Sequence, residues 1–225
     1  MSNLVKILGV RIDNLSKKEI LEKIENFLGE EKFHQIATVN PEFILKAQEN
    51  QEFKSILKQC DLNIADGIGL KYAFLRYGQW LKVRIAGVDL MHEILRLANK
   101  KRQRVFLATD KRCLSSFDEI AGVLQKEYSQ IAFQNSPTDA DIAFCSYGAP
   151  EQELFLKSLK NDKLRLAMGI GGSFDYITGK KTRAPKFFRM LGLEWLWRLG
   201  AEPKYRSKRI FQAVVVFPFR ILINR

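Results

Sequence analysis

Asp66 has the residue type and the placement that general-base chemistry needs. It follows a short apolar run, residues 62–65, and precedes Gly67 at the start of a predicted helix. A carboxylate at the end of a strand is exposed to a substrate and fixed in direction, so it can accept a proton from an attacking hydroxyl. The same position suits the N-cap of a helix, where Asp is common. Residue type alone leaves the catalytic and the structural interpretation open.

Four polar, glycine-rich loops follow predicted strands in the same way. Glycine lets the backbone approach a ligand closely, and a helix that begins after such a loop points its amide groups at an anion. The loops therefore predict a cleft for a phosphate-bearing ligand, with Gly171 and Gly172 in its wall, although a turn would explain any single glycine. Neither the P-loop spacing nor G-x-G-x-x-G occurs among them. The loops comprise residues 38–41, 65–69, 146–153 and 169–174.

Arg84 suits a clamp for a diphosphate or a carboxylate. Its planar guanidinium donates two parallel hydrogen bonds to such groups. A solvated surface arginine is the alternative.

Asp139 and Asp141 form the D-x-D pattern by which many nucleotide-sugar transferases hold a divalent metal. They precede the predicted strand 142–146, so they should lie at the edge of the sheet opposite Asp66. We therefore expect no metal site and no cofactor, with a metal-dependent transferase that uses another hexose donor as the alternative.

The cysteines and histidines of the chain predict no bound metal either. Three cysteines, far apart and odd in number, argue against a disulfide framework or a zinc site and favour a reducing, cytosolic compartment. The two histidines lack a second histidine at ligand spacing, which favours packing roles. These residues are Cys60, Cys113, Cys145, His34 and His92.

A regular alternation of strands and helices positions the polar loops. Short apolar runs alternate with segments of helical periodicity up to about residue 170, beginning with one predicted strand over residues 4–10. Ser16 and Glu19 form a capping box at the first helix. This alternation predicts an α/β fold, a Rossmann-like, largely parallel sheet covered by helices. The loops that follow parallel strands share one edge, where ligands bind.

The C-terminal part of the chain is basic and apolar together. Residues 180–225 contain twelve Lys or Arg and two acids, so they carry ten of the twelve net positive charges. Aromatic residues lie between the cations, which favours an anionic membrane surface as the partner. We predict a catalytic domain over residues 1–190 and a basic, amphipathic, helical appendage over residues 191–225. A solvated tail and a nucleic-acid-binding tail are the alternatives, although no nucleic-acid motif accompanies the charge.

The number and order of these motifs resemble the WecG/TagA/CpsF family of bacterial glycosyltransferases. The resemblance covers almost the whole chain. One departure is Glu151, which stands where the family usually carries Lys before Gln. The matching segments are residues 9–10, 38–42, 65–69, 84–90, 148–153, 169–175, 183–185 and 192–199, followed by Pro203, Arg206 and Arg209.

The resemblance implies an inverting, metal-independent glycosyltransferase of cell-envelope polysaccharide synthesis. Such an enzyme moves an N-acetylmannosamine-type sugar from a UDP-sugar to N-acetylglucosamine carried on a polyprenyl diphosphate. By analogy, Asp66 takes the proton from the acceptor hydroxyl. Donor and acceptor are held by Thr38, Asn40 and Gln152, and Arg84 contributes charge.

The resemblance also links the basic appendage to the cleft. Arg198, Arg206 and Arg209 are expected to fold over the cleft and meet the diphosphate, while residues 211–223 rest on lipid. The segment 210–223 is shorter than a bilayer crossing needs, so we expect a cytoplasmic protein, peripheral on the inner face of the cell membrane. Donor sugar, pathway and oligomeric state stay open, and a homo-oligomer would bury the apolar tail.

Overall fold

The computed structural model describes residues 3–110 and 113–224. Its strands alternate with helices along the chain, as the sequence predicts. The strands are β1 (Leu4–Ile7), β2 (Val10–Asp13), β3 (His34–Val39), β4 (Leu62–Ala65), β5 (Arg104–Ala108), β6 (Ala132–Gln134), β7 (Ile142–Cys145) and β8 (Leu166–Gly169).

Helices cover the sheet and continue beyond it to the end of the described chain. They are α1 (Lys17–Phe27), α2 (Pro41–Glu49), α3 (Gln51–Gln59), α4 (Ile68–Arg76), α5 (Gly87–Lys100), α6 (Phe117–Glu127), α7 (Glu151–Ser158), α8 (Ser173–Ile177), α9 (Lys186–Met190), α10 (Glu194–Ala201), α11 (Pro203–Phe211) and α12 (Phe217–Ile223), with a π-helical turn at Gln212–Val216 between the last two.

Six of the strands form one parallel sheet in the order β4-β3-β8-β7-β5-β6. Its four central strands are buried along nearly their whole length, as expected for a sheet with helices on both faces. The predicted α/β, Rossmann-like architecture is confirmed. Because all six strands run the same way, every loop that follows a strand opens at one edge.

The N-terminal strand prediction is wrong in one respect. Residues 4–10 do not form a single strand, because the backbone turns at Leu8 (φ 48°) and Gly9 (φ 79°), and β1 pairs with β2 as an antiparallel hairpin. The capping box at Ser16 is confirmed, since its side chain accepts a hydrogen bond from the Glu19 amide and its own amide donates to the Glu19 carboxylate. A second box of the same kind, at Ser116 and Glu119, starts α6.

The last helix of the chain is part of the core. Phe217 and Ile221 of α12 are 0% and 1% exposed and pack with side chains of α2, α3 and α4. Within the described residues the chain is helical after β8, as predicted for the appendage. A division into two units after residue 190 stays a prediction, and the burial of α12 means that the end of the chain also supports the sheet's helical layer.

Candidate active site

The candidate site lies at the carboxyl edge of the parallel sheet. The order β4-β3-β8-β7 makes neighbours of the loops that follow these strands, which contain Asp66, Asn40, Gly171 and Gly148 respectively. The predicted loops therefore meet at one edge of the sheet, and their binding of a ligand stays a prediction. The topology alone does not show which of these residues face a ligand and which stabilise the loops through hydrogen bonds.

Asp66 is not used as a helix cap. The N-cap of α4 is Gly67, at φ +84°, and no side chain caps that helix. The Asp66 amide donates to Val39 O at 2.7 Å, which fixes the residue against β3. Because the Asp66 side chain does not cap α4, the structural interpretation of Asp66 as an N-cap residue is wrong.

Burial in the cleft raises the pKa of the Asp66 carboxyl to about 6. The Arg198 and Arg84 guanidinium groups and the Gly67 amide oppose this rise, whereas the Glu194 carboxylate adds to it. At neutral pH the group is mostly ionised and more basic than an ordinary aspartate. A general base works best with a pKa near the operating pH.

Arginines from distant parts of the chain surround this carboxylate. Arg84 donates to Arg189 O at 2.8 Å, which ties the segment before α5 to α9. Arg183 makes two 2.7 Å hydrogen bonds to Asp89 and interacts electrostatically with Asp66. Three arginines therefore act on Asp66, and two of them also pair with other carboxylates, Arg183 with Asp89 and Arg198 with Glu194.

Arg198 is the tail arginine that interacts most strongly with Asp66, since it has the largest pKa-lowering effect on that carboxyl group. Its guanidinium pairs with Glu194 and lies 5.1 Å from the centre of the Tyr176 ring. Arg198 therefore lies near Asp66, and its predicted contact with the diphosphate stays a prediction.

Arg206 and Arg209 lie further along the tail and have protein partners. Arg206 donates to Glu202 at 2.7 Å and lines a cavity of about 360 Å³ together with Arg198, Tyr176 and Lys181. Arg209 donates two hydrogen bonds, of 2.9 and 2.7 Å, to one oxygen of Glu42 in the first turn of α2. Arg206 thus faces a cavity next to Arg198, whereas Arg209 fastens α11 to α2.

Thr38 and Asn40 occupy adjacent positions where β3 meets α2. Thr38 is buried, and a Cβ on Gly87 would lie 3.2 Å from its hydroxyl oxygen, so glycine lets the start of α5 pack against it. Asn40 caps α2 by accepting from the Phe43 amide at 3.1 Å. Both have structural tasks here, and their proposed contacts with donor or acceptor remain predictions.

Gln152 joins two of the glycine loops. Its side-chain oxygen accepts hydrogen bonds from the Gly148 and Gly171 amides, both at 3.1 Å, and its side-chain nitrogen donates to Glu153 at 2.6 Å. The sequence predicts that amides of these loops bind phosphate. In the structure, the Gly148 and Gly171 amides donate to the Gln152 side chain instead. Gly171, at φ +52°, and Gly172 border open space where an added Cβ would meet nothing within 4 Å.

The D-x-D acids lie where the sequence placed them, at the opposite edge. Asp141 precedes β7 and accepts from the Arg104 amide at 2.7 Å, and Asp139 pairs with Lys163. Within residues 3–110 and 113–224, no group of three or more His, Cys, Asp or Glu could hold a metal ion. Both acids thus have structural partners away from Asp66.

The amino-acid sequence of this chain matches the model of a known protein family. The model of the glycosyl transferase WecG/TagA/CpsF family matches residues 5–225. The chain belongs to the WecG/TagA/CpsF family of glycosyl transferases. The resemblance seen in the sequence is confirmed, and the protein is a glycosyltransferase.

Two relatives within this family come from Staphylococcus aureus. The relative from strain MRSA252 is 32% identical over 236 residues, which cover 96% of this chain and 91% of the relative. The relative from strain NCTC 8325 / PS 47 is 31% identical over 240 residues, with the same coverage of both chains. Both are named N-acetylglucosaminyldiphosphoundecaprenol N-acetyl-beta-D-mannosaminyltransferase.

Sequence reasoning did not assign individual roles to three charged residues of this glycosyltransferase. Arg183 belongs to a matching Arg-Ala-Pro segment, and no motif distinguishes Arg189 or Glu194. The basic character of residues 180–225 signals the two arginines but does not rank one arginine above another. Glu151, the departure from the usual family pattern, is exposed at the first position of α7 and leaves Gln152 in place.

Proposed function

We propose that this glycosyltransferase moves N-acetylmannosamine from a UDP-sugar to N-acetylglucosamine on undecaprenyl diphosphate, with inversion and without a metal. The observation that carries the proposal is Asp66, a basic carboxylate among arginines at the ligand-binding edge of the sheet. The names of the two Staphylococcus aureus relatives supply the acceptor and the transferred sugar.

In the proposed reaction Asp66 takes the proton of an acceptor hydroxyl as its oxygen bonds to the anomeric carbon. The bond from that carbon to the diphosphate oxygen breaks, and UDP leaves with the electron pair. Attack from the face opposite UDP inverts the centre, because one displacement occurs. A positioned base of this kind contributes typically 10²- to 10⁴-fold in rate.

Positive side chains take the place of a metal in this proposal. Preorganised cations stabilise charge that develops on a leaving group, and they do so most strongly where water is excluded. Arg198 and Arg183 interact electrostatically with Asp66, and Arg206 shares a cavity with Arg198. We assign the UDP diphosphate to the side of the cleft that Arg198 and Arg206 line.

The acceptor sugar fits a second cavity, of about 480 Å³, that Arg84 and Asp89 line between α1, α5 and α6. Its walls alternate acidic and basic side chains, among them Lys17, Glu93 and Arg96. Such walls offer both donors and acceptors to sugar hydroxyl groups. Arg84 belongs to this cavity and to the surroundings of Asp66, so it connects the proposed acceptor site with the base.

A membrane surface is the proposed location of the reaction, because the acceptor carries a polyprenyl chain. No helix among residues 3–110 and 113–224 is long and apolar enough to cross a bilayer. Adjoining helices instead expose large apolar side chains next to exposed Lys71, Lys186 and Arg220. We call these side chains the apolar surface: Ile68, Tyr72 and Leu75 on α4, Phe187 and Met190 on α9, Leu191 after it, and Phe219, Leu222 and Ile223 on α12.

The direct test offers the protein UDP-N-acetylmannosamine, UDP-N-acetylglucosamine or UDP-glucose with a lipid-diphosphate N-acetylglucosamine acceptor and excess chelator. We expect a disaccharide product from the first donor alone, with a β linkage from an α donor. Transfer of another hexose in preference would overturn the donor assignment. Loss of transfer on chelation, with recovery on adding a divalent ion, would overturn metal independence.

A further inference from the structure

A buried carboxyl group lies directly behind the donor cleft. Glu153 is 0% exposed, and its Oε1 accepts the 2.6 Å hydrogen bond from Gln152. Its Oε2 is buried and makes no hydrogen bond within the described part of the chain. Because Glu153 is fully buried, it is not accessible from the cleft, and its place needs another explanation.

The contacts of Gln152 give that explanation. Two backbone amides point at one side-chain oxygen, so the orientation of the Gln152 amide group is determined, and its nitrogen must find an acceptor on the other side. Glu153 is that acceptor. The hydrogen bonds run from Glu153 through Gln152 to Gly148 after β7 and Gly171 after β8, which are the loops that border the cleft.

The packing around this pair leaves no room for adjustment. A Cβ on Gly169 would lie 2.1 Å from the Gln152 side-chain nitrogen and 2.6 Å from Glu153 Oε1. The backbone of the helix is held too, since Gln35 of β3 donates to Glu153 O at 3.0 Å. A change in the charge of Glu153 therefore has to be absorbed by the loops.

We propose that Glu153 is a positioning residue that acts through Gln152 to hold the Gly148 and Gly171 loops for the donor, and that it does so as the neutral acid. The proposal rests on the proposed function only in using UDP as a probe.

Burial is the main reason for a neutral acid, since the Gln152 hydrogen bond and Lys46 oppose it and Glu151 supports it. Lys46 of α2 is the cation that faces Glu153, but its ammonium group donates to Ala149 O and pairs with Glu42. Cys60 after α3 and Cys145 of β7 are buried thiols near it whose pKa values burial raises. Glu151 on the same helix repels a second negative charge.

Two further elements adjoin the site. β8 has no titratable side chain, and on β3 the His34 ring stacks on Phe27 and pairs with Glu30 and Asp61. Burial accordingly raises the pKa of Glu153 to about 8. Ionisation would leave a buried carboxylate that only the Gln152 amide group contacts directly, and it would draw Lys46 away from Ala149, which loosens the loop at Gly148.

The test measures UDP affinity by calorimetry between pH 6.5 and pH 9.5 for wild type, Glu153→Gln and Glu151→Gln. At about one pH unit above the pKa roughly a tenth of the protein is in the neutral form, so wild-type affinity should fall about tenfold. Glu153→Gln keeps an acceptor for Gln152 and cannot ionise, so its affinity should stay flat. Glu151→Gln, the matched exposed control, should retain the fall.

A fall of the same size and midpoint in Glu153→Gln would overturn the proposal, as would a wild-type affinity that stays constant to pH 9. A second measurement needs neither a variant nor a ligand. The amide resonances of Gly148 and Gly171 in the wild-type NMR spectrum should shift together with a midpoint near pH 8. If they do not titrate, Glu153 does not act on the loops, whatever sugar the enzyme transfers.

Discussion

At the scale of single residues, two acidic side chains of the site differ in burial and therefore in pKa. Asp66 is partly buried at the carboxyl edge of the sheet with arginines nearby, and its pKa is raised to about 6. Glu153, fully buried, has a pKa raised to about 8. Desolvation is the largest cause in both cases. The partly buried carboxyl group beside arginines gives a base, and the fully buried one gives a neutral support.

The raised pKa of Asp66 predicts a stability cost. The folded state holds the proton more tightly than the unfolded state, so stability falls as pH rises between the ordinary value of 3.8 and about 6, and stays low above it. Asp66→Asn removes this cost. Above pH 7 the variant should be more stable by on the order of 1–3 kcal/mol.

Urea unfolding of wild type and Asp66→Asn at pH 4 and at pH 7.5 measures this difference. The two proteins should be close in stability at the lower pH. An Asn variant that is less stable at pH 7.5 would mean that the carboxylate serves the fold, contrary to our assignment.

At the scale of elements, close approach of strand and helix fixes one glycine. Gly169 ends β8 against the Gln152 and Glu153 side chains of α7. Gly169→Ala should destabilise the protein by about 1–3 kcal/mol, because the added methyl group overpacks the interface. It should also weaken UDP binding, since Gln152 must move.

Gly122 of α6 is the matched control, because an added Cβ there meets nothing within 4 Å. Gly122→Ala should raise stability by roughly 0.5–1 kcal/mol, as expected for Ala in place of Gly within a helix. Thermal unfolding compares the two. Similar effects of both substitutions would contradict the packing argument.

A second prediction at this scale concerns the junction of α11 with α2. Arg209 pairs with Glu42, which also pairs with Lys46, and Lys46 in turn donates to Ala149 O. In a double-mutant cycle, Arg209→Gln and Glu42→Gln should couple by about 0.5–2 kcal/mol in unfolding free energy.

The same cycle, repeated with UDP affinity as the readout, distinguishes two roles of Arg209: pairing with Glu42 and direct contact with the diphosphate. If Arg209 acts only through Glu42, its loss has no further effect once Glu42 is replaced. A further loss of affinity in the Glu42→Gln background would show that Arg209 also contacts the diphosphate, as the sequence predicts.

At the scale of the whole molecule, the C-terminal helices serve both the core and the outer surface. Phe217 and Ile221 are buried against the sheet's helical layer, whereas Phe219 and Leu222 of the same helix are exposed. Deleting residues 204–225 would therefore expose the core. A loss of membrane binding in that variant could then result from unfolding. Exposed positions give the cleaner test of the apolar surface.

Phe219→Ser with Leu222→Ser should weaken binding to anionic phospholipid vesicles by roughly tenfold or more, because two large apolar side chains no longer enter the lipid. Val123→Ser, at an exposed apolar position of α6, is the control and should leave binding unchanged. Vesicle sedimentation measures all three. Equal binding by the double variant would place the lipid contact elsewhere.

How much the sequence predicts depends on the range of the interactions involved. Strand and helix alternation, the ligand-binding edge and the position of Asp66 follow from local patterns, and the structure confirms the fold. The roles of Gln152 and Arg209 do not follow, because their partners Gly171 and Glu42 lie 19 and 167 residues away in the chain. A turn of two residues at Leu8 and Gly9 was enough to divide a predicted strand.

The most direct test of the central claim compares wild type and Asp66→Asn, with UDP-N-acetylmannosamine, the lipid-diphosphate acceptor and EDTA present. We predict UDP release by wild type, with a rate that falls below about pH 6 as Asp66 is protonated, and a loss of about 10²- to 10⁴-fold in the variant. UDP affinity, measured in parallel, should be retained by the variant. Equal rates of UDP release by the two proteins would contradict the role of Asp66 as the base.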